Sequence, residues 1–107
     1  MSINLKIILD ALDRERSISC YYDGVYRKLS PYRVGWKGGK LQCLFYQYSG
    51  KSNSSYIDGI SNKNWRCLKL NKLHNIEVLD KPLFKPLIVS HKKKSSCIDK
   101  IIQEIMI

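Results

Sequence analysis

Cationic side chains recur among the apolar residues of the β-rich segments of this chain. In WRCLKLNKL, residues 65–73, one row of alternate positions begins with Arg66, ends with Lys72 and has leucines between them. Alternate residues of a strand face the same side, so this row combines core residues with charge. Arg27 lies in a similar setting in VYRKL, residues 25–29. An arginine in mid-strand is costly to bury unpaired, which indicates a ligand, an acidic partner or solvent.

The chemistry that these residues indicate is the binding of phosphate and bases. Lysine and arginine follow phosphates, while aromatic rings stack on the bases of single-stranded nucleic acid. The predicted binding residues are Arg27, Tyr46, Gln47, Arg66, Lys69 and Lys72. We expect the two arginines to contact phosphate and the two lysines to add electrostatic attraction. Tyr46 and Gln47 are expected to stack on or hydrogen-bond a base.

The net charge favours the same class of ligand. The 107 residues include 19 Lys and Arg against 9 Asp and Glu, a formal charge of +10. Residues 1–16 are balanced, so the surplus lies in the β-rich part and the tail. Such a field attracts polyanions, nucleotides or an acidic protein surface.

Motifs for catalysis or for a bound metal are missing from the sequence. Neither of the two histidines, His74 and His91, lies in a metal or nucleophile motif, and no phosphate-binding glycine loop, HExxH or GxSxG occurs. The sequence therefore predicts a protein that is not an enzyme and has no cofactor and no metal.

The four cysteines are 23, 24 and 30 residues apart, which matches no zinc spacing. We expect them to be reduced, and three of them lie in predicted strands and act there as small apolar side chains. Zinc binding or disulfides are the alternatives. No apolar run approaches the roughly 20 residues that span a bilayer, and the N-terminus does not resemble a signal peptide. A cytoplasmic protein without membrane contact is expected.

The first 50 residues predict one helix followed by strands. Residues 3–14 have a broad apolar stripe with Ser2 as N-cap. Asp23-Gly24 between two β-rich runs predicts a hairpin with a type I′ turn. Pro31 is expected to end regular pairing there. LQCLFYQYSG, residues 41–50, is the most apolar and aromatic strand.

The second half predicts a polar loop at 51–64, the strand WRCLKLNKL and a short strand, IEVLD, at 76–80. Residues 96–99 have the shape of a capping box and would open a final helix. The apolar stripe of that helix would consist of Ile98, Ile101, Ile102, Ile105 and Met106. The expected fold is mainly β: a five-stranded SH3-like or Sm-like small barrel with N-terminal and C-terminal helices. The barrel and first helix occupy residues 1–80, and residues 81–107 form a basic linker and the amphipathic last helix.

The order of these segments resembles the WYL domain family over roughly residues 3–80. The segments that carry the resemblance are YRKLSPYRVG, YQYSGKSNS and WRCLKLNKL, and they are most similar to small stand-alone bacterial WYL-like proteins. Leu41, Gln42 and Cys43 stand where the family has its eponymous Trp-Tyr-Leu. Asn71 and Lys72 stand where it usually has Asp and Arg.

This resemblance implies an SH3-like or Sm-like barrel that senses nucleic acid or a nucleotide in bacterial transcription regulation. The 16 residues before the first strand leave no room for a helix-turn-helix, so a free-standing ligand-binding module is expected. The family often dimerises, and a homodimer would cover the apolar last helix. The alternative is a protein-interaction module that docks on an acidic partner protein; an enzyme would need a carboxylate or histidine in a pocket.

Overall fold

The computed structural model describes residues 2–50, 64–85 and 97–105. One helix and six strands make up this part of the chain. Their bounds are α1 Ile3–Asp13, β1 Arg16–Tyr22, β2 Val25–Lys37, β3 Lys40–Gly50, β4 Trp65–Lys69, β5 His74–Pro82 and β6 Lys100–Glu104, with a short 3-10 helix, Leu70–Lys72, after β4. The predicted N-terminal helix and the mainly β class are confirmed. No helix in these three ranges is long and apolar enough to cross a membrane.

Helix α1 forms where the sequence places its N-cap and its apolar stripe. The Ser2 hydroxyl accepts hydrogen bonds from the amides of Asn4 and Leu5, which satisfies two of the free amides of the first turn. The helix buries Leu5, Ile8, Ala11 and Leu12 against the sheet. These residues recur at the spacing of one helical face. Ile3, the first residue of the predicted stripe, is 73% exposed and does not belong to this face.

The hairpin of β1 and β2 follows from its two turn residues. Asp23 and Gly24 both have positive φ, 54° and 72°, as a type I′ turn requires. The strands then pair in register, with Tyr21 opposite Tyr26 and Ile18 opposite Leu29. The turn thereby determines which side chains of the hairpin face the core.

Strand β2 continues through Pro31, contrary to the prediction that pairing ends there. The first half of β2 pairs with β1 as far as Leu29, and its last residues pair with β6 from Arg33 onward. Pro31 lies between the two partners, next to a register shift in the β2–β3 ladder. Proline is tolerated at such an irregularity, since no regular ladder bond has to come from its missing amide hydrogen.

The sheet is antiparallel and open, so the prediction of a closed barrel is wrong. Its order is β4-β3-β2-β1-β5, and β6 pairs with β2. Strands β4 and β5 are at opposite ends of this path, and no pairing joins them within the described ranges. Helix α1 contacts the segment that connects these two strands. The side-chain amide of Asn4 donates to the carbonyl oxygens of Leu70 and Leu73, at 2.8 and 3.1 Å.

The predicted C-terminal helix is also wrong, because residues 100–104 form strand β6. Isoleucine is β-branched and favours a strand when ladder bonds are available. The end of β2 extends beyond β1 and offers that ladder; the amides of Asp99 and Ile105 donate to carbonyl oxygens of Trp36 and Tyr32 at 2.8 and 2.7 Å. Asp99, expected as a helix cap residue, instead forms an ion pair with Lys37. Met106, the last residue of the expected stripe, lies outside the described residues.

The sheet has a core on each face, because side chains of β3 alternate between two buried clusters. On the helix-side face, Cys43 and Phe45 pack with residues of α1, β1 and β4. On the outer face, Leu44 and Tyr46 pack with Trp65, Leu83 and Ile98, among others. The C-terminal residues therefore cover the outer core. The expected polar loop lies mostly outside the described residues.

The cysteines correct another expectation. Cys67 of β4 forms a disulfide with Cys97, which precedes β6, so these two are not reduced thiols. Cys20 and Cys43 are free, buried and part of the helix-side core, as predicted. Disulfides are typical of oxidising compartments. A cytoplasmic location stays a prediction.

The two free thiols are expected to be inert in the folded protein. Burial raises the pKa of the Cys20 thiol to about 11, against a smaller lowering by the charge of Arg27, and burial also raises the pKa of Cys43. Both thiols are thus protonated at about pH 8, and the thiolate is the nucleophile. A chromogenic thiol reagent should detect no thiol in the native protein, two in denaturant and four after reduction in denaturant. Fast reaction of the native protein would contradict this arrangement.

Candidate nucleic-acid interface

Three of the six predicted binding residues meet at one end of the helix-side face. Gln47 shares a face of β3 with Phe45, and Arg66 of β4 is the cross-strand partner of Phe45. Arg27 lies two residues before Leu29, the cross-strand partner of Gln47. We call Arg27, Gln47 and Arg66 the arginine site. Its members come from β2, β3 and β4 and share the side of the sheet that faces α1.

Arg27 is the centre of the arginine site. The residue is only 4% exposed. One terminal guanidinium nitrogen donates to Oε1 of Gln47 at 3.2 Å, and the guanidinium carbon lies 5.4 Å from the ring centre of Tyr22. Both contacts are with neutral groups. Within the described residues no carboxylate forms an ion pair with Arg27, and its buried Nε has no hydrogen-bond partner.

Gln47 is oriented for its contact with Arg27. The side chain is buried, and its amide nitrogen donates to the carbonyl oxygen of Ser49 at 3.4 Å. Because the nitrogen makes that bond, the oxygen is directed to Arg27. A neutral acceptor stabilises the guanidinium by a hydrogen bond and leaves its positive charge uncompensated.

Arg66 adds a second cation at the same end. It is half-buried and donates to the main-chain oxygen of Trp65 at 3.4 Å. Burial lowers the pKa of Arg66, and the positive charge of Arg27 lowers it further. Both cations are on the same face of the sheet, where like charges repel each other. An anion placed between them would relieve this repulsion.

The other three predicted residues lie elsewhere. Tyr46 is completely buried on the outer face, stacked on Phe84 with ring centres 5.5 Å apart and edge-on to Trp65 at 5.2 Å. Lys69 has the opposite parity to Arg66 on β4 and thus faces the outer side. Lys72 is exposed in the 3-10 helix, because β4 ends at Lys69. Leu68 and Leu70 both pack in the helix-side core, so the row of alternate residues expected from 66 to 72 holds as far as Leu70 and fails at Lys72.

Tyr22 is a member of the site that the sequence prediction did not include. It is half-buried at the end of β1, and besides its contact with Arg27 its hydroxyl accepts a hydrogen bond from the main-chain amide of Lys69 at 3.4 Å. The sequence could have identified Tyr22, because it lies two positions after Cys20 and therefore faces the same buried side of β1. The turn at Asp23 then brings β2, and with it Arg27, back beside this ring.

Groups suited to hold a metal ion are missing from the parts of the chain that the structure describes: no cluster of three or more His, Cys, Asp or Glu occurs there. Comparisons with protein-family models, curated proteins and solved structures gave no match. The resemblance to WYL domains therefore depends on the quoted sequence segments.

Proposed function

We propose that this chain is a non-enzymatic regulatory module of the WYL type that binds single-stranded nucleic acid or a nucleotide. The arginine site takes a phosphate of that ligand. Arg27 and Arg66 supply the charge, while Gln47 and Tyr22 hold Arg27 in place. The remaining cations attract the ligand over a longer range.

One observation carries this proposal: Arg27 is 4% exposed, and within the described residues its guanidinium has only an amide oxygen and an aromatic ring as neighbours that stabilise it. Burying a charge without a counter-ion costs several kcal/mol, which proteins offset by pairing it. The planar fork of arginine matches phosphate oxygens in two parallel hydrogen bonds. A phosphate at this position would complete the coordination of Arg27.

The class of anion follows from the charge of the whole chain. A single arginine site would suit any small anion, but the +10 net charge favours a ligand with several phosphates. The resemblance to WYL domains supports the same ligand class and a role in transcription regulation. Tyr46 has no part in this proposal, since its ring is enclosed by Trp65 and Phe84.

Replacing either arginine of the site should weaken binding to a fluorescently labelled single-stranded oligonucleotide. We expect Arg27→Gln and Arg66→Gln each to lower affinity about 10- to 100-fold at low salt, as the loss of a charge-assisted hydrogen bond pair implies. The slope of log affinity against log salt should fall by about one for each variant. Fluorescence anisotropy across a salt titration measures both quantities.

Arg14→Gln is the matched control for these variants. It also removes one positive charge, but from an exposed arginine that pairs with Asp10 at the end of α1. We expect it to change affinity by less than about twofold, since surface charges act weakly through salt. Thermal unfolding of each variant shows whether it is folded. Equal affinities of folded Arg27→Gln, Arg66→Gln and Arg14→Gln would refute the phosphate assignment.

A second candidate function is docking on an acidic partner protein. The observation that favours it is the exposed apolar surface of Trp36, Ile101 and Ile102 around β6, beside Lys100. Apolar patches rimmed by charge are typical of protein interfaces. A stoichiometric partner that copurifies after nuclease treatment would favour this function, whereas oligonucleotides lost on nuclease treatment would favour the first.

A further inference from the structure

A cleft opens on the outer face of the sheet, where the β1–β2 hairpin lies beside β5. Its volume is about 470 Å³, within the range of about 300–1,000 Å³ that is typical of small-ligand sites. The residues that line it are Ser19, Tyr21, Tyr26, Asn75, Ile76 and Glu77. The arginine site belongs to the helix-side face, so the two sites are separate.

Two exposed tyrosines line the cleft. Tyr21 and Tyr26 are cross-strand partners, and their ring centres are 5.3 Å apart with 57° between the planes. They are 42% and 43% exposed, unlike Tyr32 and Tyr46, which the outer core buries completely. An exposed ring is a stacking surface for a flat ligand, and every nucleobase has such a face.

Residues of β5 supply hydrogen-bond acceptors to the cleft. Glu77 of β5 is the cross-strand partner of Ser19, and the β1–β5 ladder shifts register between Ser19 and Tyr21. Asn75, which also lines the cleft, has a φ of 52°. Bulges and left-handed residues next to a cleft commonly re-aim side chains toward it. An ionised carboxylate can only accept hydrogen bonds, so Glu77 selects a ligand with N–H donors.

Charge distinguishes between two kinds of ligand that have paired N–H donors and a flat shape. One is the guanidinium of an arginine, and the other is guanine, whose N1 and N2 donate side by side. Lys28 faces the same side as Tyr26 and is the cross-strand partner of Ser19, so a cation borders the cleft. Together with the net charge of +10, this disfavours a cationic guest and favours a base that carries phosphate.

We propose that this cleft binds guanine, as the base of a guanine nucleotide or of single-stranded nucleic acid. Tyr21 or Tyr26 stacks on the base, Glu77 accepts hydrogen bonds from N1 and N2, and Lys28 attracts the adjoining phosphate. This assignment depends on the proposed function for the ligand class, and it gives the base a site that Tyr46 cannot provide.

Titration with guanosine 5′-monophosphate, followed by amide NMR shifts, tests the proposal. We expect shifts at Ser19, Tyr21 and Glu77, and at least roughly tenfold weaker binding of adenosine 5′-monophosphate, as for a base contact of two hydrogen bonds. Glu77→Gln should lose that preference, and the double variant Tyr21→Leu/Tyr26→Leu should bind both nucleotides more weakly. Asp80→Asn is the matched control, because it removes an exposed carboxylate of the same strand.

Equal binding of the two nucleotides, or an unchanged preference in Glu77→Gln, would overturn the guanine assignment. Shifts at the cleft with N-acetyl-arginine amide in place of the nucleotide would show a site for a cationic side chain and would also overturn it. Guanosine, which has no phosphate, reports on the cleft alone. Oligonucleotide binding by Arg27→Gln reports on the arginine site, so either proposal can fail without the other.

Discussion

Removing the Cys67–Cys97 disulfide is expected to lower the free energy of unfolding by about 3.5–4 kcal/mol. The bond joins residues that are 30 positions apart, and closing a loop of that length in the unfolded chain accounts for a stabilisation of this size. For a domain of about 100 residues, the melting temperature should fall by about 15–25 °C. Native stabilities are about 5–15 kcal/mol, so this is a large fraction of the total.

The folded state should lose its C-terminal strand first. Cys97 and Ile98 belong to the outer core, and the chain then enters β6, which pairs with β2 alone among the described strands. Without the disulfide, the docked segment retains a short ladder, the Lys37–Asp99 pair and the Arg33–Glu104 pair. Hydrogen exchange should therefore accelerate at the amides of Asp99 and Ile105 more than in β1 or β3.

Urea denaturation of the oxidised protein, the reduced protein and a Cys67→Ser/Cys97→Ser variant measures the effect. The variant and the reduced protein should agree with each other, and reductant should not change the variant. This comparison separates the loss of the bond from the replacement of sulfur by oxygen. The same midpoint for oxidised and reduced protein would contradict a structural disulfide.

The second large effect is expected from Gly35→Ala. A Cβ at Gly35 would lie 2.0 Å from the carbonyl oxygen of Lys100 and 2.6 Å from Cγ2 of Ile98. The first contact is with the backbone, which cannot swing aside as a side chain can, so β6 must move away from β2. We expect a loss of about 2–3 kcal/mol in unfolding free energy, typical of overpacking in a core.

Gly38→Asn is the matched control for Gly35→Ala. Gly38 is in the turn before β3 with a φ of 57°, and a Cβ there would meet nothing within 4 Å. Asparagine tolerates this conformation, so the change should cost less than about 1 kcal/mol. Chemical denaturation and hydrogen exchange in β6 compare the two variants. Equal stability of both would show that β6 does not pack on Gly35 as described.

Both predictions concern the segment that sequence patterns misassigned. Residues 98–106 have isoleucines at helical spacing, but the same isoleucines are β-branched and suit a strand equally well. What decides between the two is the free edge at the end of β2 and the space above Gly35. Neither feature is visible in the local sequence.

The arginine site likewise depends partly on local sequence patterns and partly on tertiary contacts. The position of Arg27 two residues before Leu29, and the parity of Arg66 with Leu68, place both arginines on the buried face from sequence alone. The depth of Arg27 and its contact with Gln47 depend on how β2 and β3 pair across a register shift. Tyr46 was predicted as a stacking residue because aromatic residues on strands commonly bind bases. The structure instead buries it in the outer core.

The sequence by itself determined the helix, the hairpin, the alternation of the strands and the concentration of positive charge. These features depend on neighbours within a few residues: an N-cap, a turn dipeptide and periods of 3.6 and 2. The tertiary structure alone decided that the sheet stays open, that the last segment is a strand, that Cys67 bonds to Cys97, and that Arg27 is enclosed. Each of those outcomes depends on contacts between residues that are distant in the chain. Local sequence patterns do not specify such contacts.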